Sequence, residues 1–292
     1  MEGFIRLAAI ESTMERAING DKPALFLITG VGNSGRTSLA NHMLYAYQRA
    51  ATARLAGYRF VVHRVERDDM THDAYQLLRS TLLSLRNKMH TSNIEIPPRL
   101  QRGFTTLSHR APTNPMNEYD LQEIAEFAAT AFAAHDAGFG IRYEGVSTKE
   151  LLTQAAKVFE NTRTVVVFTI DNYDHASTVQ LTDADRQAFA RRGHVIDLSA
   201  LTPRQIAVLA DGRWTGEPPS PFDLDGVQRA FSTRPYTIGQ AMQHLAVLLD
   251  CRLSEYDSDE PWPTDGLLMH EMWMQLKMWQ AEKWNGLGDP HG

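Results

Sequence analysis

The sequence is poor in cysteine: Cys251 stands alone among 292 residues. One thiol excludes an intrachain disulfide and a cysteine-built zinc cluster. Long apolar runs are missing too, and nothing approaches the roughly 20 residues that a bilayer span needs, so no membrane partner is expected. The opening MEGFIRLAAIESTMERAI carries Glu2, Glu11 and Glu15 and has no uninterrupted apolar stretch, so it does not read as a signal peptide. A cytoplasmic protein is expected. Basic residues do not predominate, since 29 Lys and Arg against 35 Asp and Glu leave a formal charge of −6. That balance argues against coating nucleic acid by bulk electrostatics, while leaving room for a local basic strip. The histidines are scattered, and His270 with Glu271 opens no H-E-x-x-H site because position 274 is Met274. No Ser–His–Asp set, internal repeat or low-complexity tract is found.

What remains is ordinary for a globular chain: 43 % hydrophobic and 22 % charged residues, enough for one large or two smaller domains. The spacing of Phe4, Ile5, Ala8, Ile10, Met14 and Ile18 predicts a helix that NGDKP stops. ALFLITG is then a short continuous apolar run, as a strand buried on both faces requires. SLANHMLYAYQRAATARLAG follows as a helix, YRFVVHRVE as a strand and HDAYQLLRSTLLSLRNKM as a helix. From Thr91 to Asn117 four prolines and weak periodicity predict a long loop or insertion, about residues 91–118. Arg99, Arg102 and Arg110 make it basic, which suits a solvated loop or a contact strip for a polyanion or a neighbouring subunit.

DLQEIAEFAATAFAAHDAGFG reads as a helix followed by a glycine-rich break. STKELLTQAAKVFENT reads as a helix capped by Ser147, with Glu150 completing a capping box. TVVVFTIDNYDHAS is the strongest strand in the chain, HVIDLSAL a shorter one, and TPRQIAVLADGRW a helix with proline in its first turn. Strands alternating with helices predict an α/β fold, a mostly parallel sheet flanked by helices. TGEPPSPFD marks a boundary, giving a core over 1–218 and a helical segment over 219–292. Near the C-terminus Leu268, Met272, Leu276 and Trp279, with Met269 and Trp273 beside them, form a stripe suited to packing on that helical segment or to docking.

The chemistry centres on GVGNSGRT. A phosphate loop has the pattern G-x-x-x-x-G-K-[ST], and Gly30, Gly32, Asn33, Ser34, Gly35, Arg36 and Thr37 satisfy it apart from arginine in the lysine position. Such a loop surrounds an anion with backbone N–H groups at a helix N-terminus. Arg36 keeps the positive charge, but a planar guanidinium does not replace a compact ammonium point for point. Thr37, followed by Ser38, keeps a hydroxyl where Mg²⁺ is held in such loops. The other reading is a glycine-rich strand-to-helix turn with no ligand. VVVFTIDN resembles the acidic strand of the same fold, with Asp171 orienting Mg²⁺ and Asn172 where many ATPases have glutamate. It equally resembles the following strand, whose terminal polar residue, here Asn172, senses the γ-phosphate. Both assignments stay open.

With HVIDLSALTPRQIAVLADGRW and STRPYTIGQAMQHLAVLL these segments resemble an AAA+ P-loop NTPase of the origin-recognition, transposition-regulator or STAND-like kind, over roughly residues 1–250. The resemblance implies a P-loop core with a C-terminal helical lid, ATP and Mg²⁺ as cofactors, and Gly30, Gly32, Asn33, Ser34, Gly35, Arg36, Thr37 and Ser38 around the phosphates. It implies Thr37 and Asp171 on the metal, a sensor arginine at Arg234, and Asp171, Asn172 and Arg192 in the hydrolytic machinery. Arg191 and Arg192 stand where the family carries an arginine finger, so a homo-oligomer is expected. Arg36 in place of lysine and Asn172 in place of glutamate imply weak hydrolysis. The expected function is an oligomerising switch or remodelling ATPase. The alternative is a hydrolysis-deficient scaffold assembling on a protein or DNA partner. A small-molecule kinase is the third reading.

Overall fold

The computed structural model describes residues 7–19, 23–66, 73–110, 114–146, 148–171, 181–213, 220–255 and 268–285. Their elements run α1 (Leu7–Asn19), β1 (Ala24–Gly30), α2 (Arg36–Arg54), β2 (Arg59–Val65), α3 (Ala74–Thr91) and α4 (Pro98–His109). Next come α5 (Glu118–Ala133), β3 (Ala137–Tyr143), α6 (Lys149–Val158), β4 (Val165–Asp171), α7 (Asp183–Ala190) and β5 (His194–Leu198). The last four are α8 (Pro203–Arg213), α9 (Leu224–Ala230), α10 (Ile238–Ser254) and α11 (Glu271–Asn285).

The strands form one sheet in the order β2-β3-β4-β1-β5, and every neighbouring pair is parallel. Parallel neighbours need crossover connections, which the intervening helices supply. Burial explains why β1 is apolar apart from Thr29, whose hydroxyl is bonded to Asp197: all seven of its residues are buried. Its side chains alternate between two faces, as the two-residue strand period dictates. Leu25 and Leu27 join Phe139, Val166 and Phe168 on one face. Ala24, Phe26 and Ile28 join Met43, Tyr47, Val165 and Val167 on the other. Register places Gly30, the last residue of β1, beside Asp171 on one side and Leu198 on the other.

Three local expectations are corrected. The glycine-rich break at 137–143 is β3, an interior strand between β2 and β4. Its glycines are packing sites: a Cβ on Gly138 would collide with the Tyr58 hydroxyl, and one on Gly140 would lie 2.7 Å from Leu44 and Phe60 atoms. The stretch read as a loop contains α4, which starts on Pro98 and buries Leu100, Phe104 and Leu107. Those three residues are helically spaced, but the surrounding prolines mask the period. The cap of α6 is Thr148, whose side chain accepts from the Leu151 N–H at 3.4 Å, whereas Ser147 lies outside the described residues.

The chain divides into two compact units, residues 5–32 with 36–198, and residues 33–35 with 199–292. This division falls before α8, earlier than the composition break near 218, because Ile206, Ala207 and Ala210 pack with Val227, Phe231 and Leu248. Within the second unit α10 opens on a capping box made by Thr237 and Gln240. The Gly239 N–H donates to the Asn33 carbonyl at 2.9 Å. Of the two readings of the C-terminal stripe, packing does not hold for its outer residues. Met272, Leu276 and Trp279 are 83 %, 51 % and 57 % exposed, while Met269, Met274 and Met278 are buried.

Candidate functional site: a glycine-rich loop bounded by carboxylates

β1 delivers the chain to Gly30 inside the sheet, and α2 begins six residues later at Arg36. The turn between them needs left-handed backbone at Asn33 (φ 59°) and Gly35 (φ 85°). Asparagine and glycine are residues that adopt it at low cost. Left-handed residues within a turn align successive N–H groups into an anion-binding concavity. α2, 19 residues long, adds the unpaired N–H groups and partial positive charge of its N-terminus. Ser34 is buried, and its hydroxyl has no hydrogen-bond partner. A buried hydroxyl is costly when unpaired, so this atom fits a loop whose remaining partner is a bound anion.

The side chains that follow the loop are engaged by carboxylates from two different strands. Arg36 Nη2 donates to Asp171 Oδ2 at 2.7 Å. Thr37 Oγ1 donates to Glu144 Oε1 at 2.8 Å. Glu144 comes directly after β3 and accepts from Arg142 Nη2 at 2.6 Å. Arg142, whose side chain is 5 % exposed, also donates to Asn41 of α2 at 2.6 Å and meets Glu66 at 3.5 Å. The turn after Glu144 is tied to β4, with Gly145 N–H on Thr169 Oγ1 at 3.1 Å and Val146 N–H on Thr169 O at 2.8 Å. Carboxylate and hydroxyl oxygens are the donor set that suits Mg²⁺.

Gly30, Gly32, Asn33, Ser34, Gly35, Arg36, Thr37 and Ser38 thus occupy the loop and the first turn of α2. Asp171 ends β4 beside Gly30, yet its partner is Arg36 and not Thr37. Asn172 lies outside the described residues. Arg192 is exposed in the turn after α7, where its N–H donates to Phe189 O at 2.9 Å. Arg234 is bonded to Glu282 of α11 and lies over the Tyr236 ring at 4.9 Å.

Sequence reasoning missed Glu144, Arg142 and Asn41. The available signal was the alternation of Phe139, Ile141 and Tyr143 between glycines, followed at once by Arg142 and Glu144 in IRYEG. Among the described residues no cluster of three or more His, Cys, Asp or Glu side chains suits a metal ion. None of the described helices is long and apolar enough to cross a membrane.

Neither a known family profile nor a curated protein matches the sequence. Solved structures do match. The ORC2 protein of Aeropyrum pernix in its ADPNP-ADP complexes aligns with a TM-score of 0.54 and 11 % identity, over 94 % of this chain and 66 % of that one. The ORC1 protein of the same organism, in complex with DNA, gives 0.52 and 13 %, over 95 % and 64 %. Drosophila ORC bound to DNA gives 0.51 and 10 %, over 94 % and 60 %. The chain shares the fold of these ORC structures, with a five-stranded parallel sheet flanked by helices. This chain spans about two thirds or less of these three neighbours. In this fold, β4 follows β3 in the chain and lies between β3 and β1, so both strands present a C-terminal carboxylate near the loop.

Proposed function

We propose that the chain is an ATP-binding switch of AAA+ type whose loop, from Gly30 to Ser38, holds the phosphates and whose hydrolysis is slow. The observation that carries this reading is the loop itself. It combines left-handed Asn33 and Gly35, an unpartnered buried hydroxyl on Ser34 and a cation at Arg36, all entering the N-terminus of α2. Thr37 and Glu144 are the side chains proposed to hold Mg²⁺, because they already meet at 2.8 Å. When bound, Mg²⁺ would neutralise phosphate charge. On this reading β3 is the acidic strand and β4 the following, sensor strand. Asp171 then belongs with Arg36, and Asn172 senses the γ-phosphate or positions water.

Slow turnover follows from Arg36, which offers a planar fork where a compact ammonium serves phosphoryl transfer. Arg192, exposed after α7, is proposed as a finger acting on a neighbouring copy in a homo-oligomer. Arg234 is proposed to exchange Glu282 for the phosphates when nucleotide is bound. A protein partner is favoured over DNA by the state of the basic stretch, where Arg99 is paired with Glu123 at 2.5 Å and covers Phe127. Titration with fluorescent ATP and Mg²⁺, followed by phosphate release, tests the reading in wild type, Arg36→Lys and Arg36→Ala. Binding with slow release in wild type supports the switch. Absence of binding in all three proteins removes it. Size exclusion with ATP that yields only a monomer removes the oligomer.

A further inference from the structure

The phosphate loop has one cationic side chain, Arg36, and the fold has already given it an anion. Arg36 and Asp171 meet at 2.7 Å with each side chain only 16 % exposed. Asp171 is held there by the sheet, since β4 pairs with β1 and its last residue is in register with Gly30, the first residue of the loop. Screening by salt is weaker for a shielded pair than for an exposed one, and its attraction is stronger. Among the described residues the neighbouring network adds no surplus of positive charge. Arg36 and Arg142 supply two cations, and Asp171, Glu144 and Glu66 supply three anions. A metal-free polyphosphate therefore meets favourable backbone N–H groups but side chains of net negative charge. It also competes with a fixed carboxylate for the only guanidinium in the loop.

We propose that Asp171 is a specificity-determining residue of the loop, a carboxylate that occupies Arg36 and rejects polyphosphate arriving without a divalent cation. The proposal rests on the reading of this loop as a phosphate site. Arginine suits the arrangement because its fork can keep one N–H on Asp171 while another faces a phosphate oxygen, so a metal-neutralised polyphosphate is still accepted. Arg36 and Asp171 thus act as a pair. A lysine at position 36 leaves the carboxylate in place and does not by itself open the loop to metal-free anions.

Calorimetric titration with inorganic tripolyphosphate in chelator, and with ATP plus Mg²⁺, tests the pair. The proteins are wild type, Asp171→Asn, Asp171→Ser, Arg36→Ala and the double variant Arg36→Ala/Asp171→Asn. Thermal unfolding of each establishes that it is folded, and the serine variant covers a failure of the asparagine one. Replacing Asp171 should tighten metal-free tripolyphosphate binding by at least about tenfold, and by about threefold or less when Arg36 is absent. Equal metal-free affinity in wild type and both Asp171 variants, with Mg²⁺ and ATP still bound, overturns the gate alone. A gain of the same size without Arg36 overturns the pairing. Failure of every protein to bind either ligand removes the phosphate-site reading and the gate with it.

Discussion

Thr37 and Glu144, 107 positions apart in the chain, are joined by a hydroxyl-to-carboxylate hydrogen bond of 2.8 Å. The bond links the first turn of α2 to the end of β3, and Arg142 fixes its carboxylate partner at 2.6 Å. Arg142 is the hub of this network, with Asn41 and Glu66 as further acceptors. Glu66 is exposed, but removing the buried cation leaves the partly buried Glu144 and the Asn41 amide oxygen without their partner, so Arg142→Met should lower unfolding free energy by about 2 kcal/mol. Urea unfolding measures it. A loss under about 1 kcal/mol would put the network in the class of exposed pairs.

On the proposed reading of the loop, Ser34 separates ligand binding from stability. Its buried hydroxyl has no partner in the folded protein, so Ser34→Ala should leave the unfolding free energy unchanged or raise it by about 1 kcal/mol. The same variant should weaken ATP binding in Mg²⁺ by about threefold to tenfold, the worth of one hydrogen bond. Unchanged affinity would mean that this hydroxyl does not meet the phosphates.

The two faces of α11 differ in energetic weight. Met274 is fully buried, and Met274→Ala should cost about 3 kcal/mol through lost burial and a residual cavity. Met272, which is 83 % exposed, should cost less than about 0.5 kcal/mol on the same truncation. Comparable losses in urea titrations would reverse this assignment of the faces.

Gly193 leaves no room for a side chain. A Cβ there would lie 2.6 Å from the Leu25 carbonyl and 2.8 Å from the Phe189 ring. Backbone cannot yield as a flexible side-chain tip does, so Gly193→Ala should destabilise by about 2 kcal/mol. A midpoint equal to wild type would show that the turn before β5 adjusts freely.

Two histidines make stability fall on acidification. Burial pushes His194 below the ordinary 6.5, and the nearby Arg16 charge pushes the same way. Burial also lowers His244, outweighing Glu282, which raises it, and Arg234 adds to the lowering. The unfolded chain then binds more protons than the folded one below pH 6.5. Their contribution is complete above that pH and is lost as pH falls through the lowered folded values. The urea midpoint should drop between about pH 7.5 and about pH 5.5, and drop less in the double variant His194→Gln/His244→Gln. A midpoint that rises on acidification contradicts this sign.

The path from β1 through the loop into α2 was legible because its signals are local: a continuous apolar run, glycines where the backbone must turn left-handed, then a helical period. β4, β5 and α8 were legible for the same reason. β3 was not, because Gly138 and Gly140 are explained only by Tyr58, Leu44 and Phe60, which pack onto the strand from elsewhere in the chain. α4 was hidden by flanking prolines until Leu100, Phe104 and Leu107 found a core. α11 carries apolar residues around its circumference, so period alone could not choose between Met272 and Met274 as the buried face.

The same division runs through the site. The phosphate-loop pattern, the arginine within it and the strand and helix on either side can be read locally, because each depends on residues within a few positions of one another. That Arg36 meets Asp171, 135 positions away, and that Thr37 meets Glu144 emerges from packing alone. Those partners are chosen by the order of parallel strands in the sheet, and strand order is a property of the packed chain that no local period encodes.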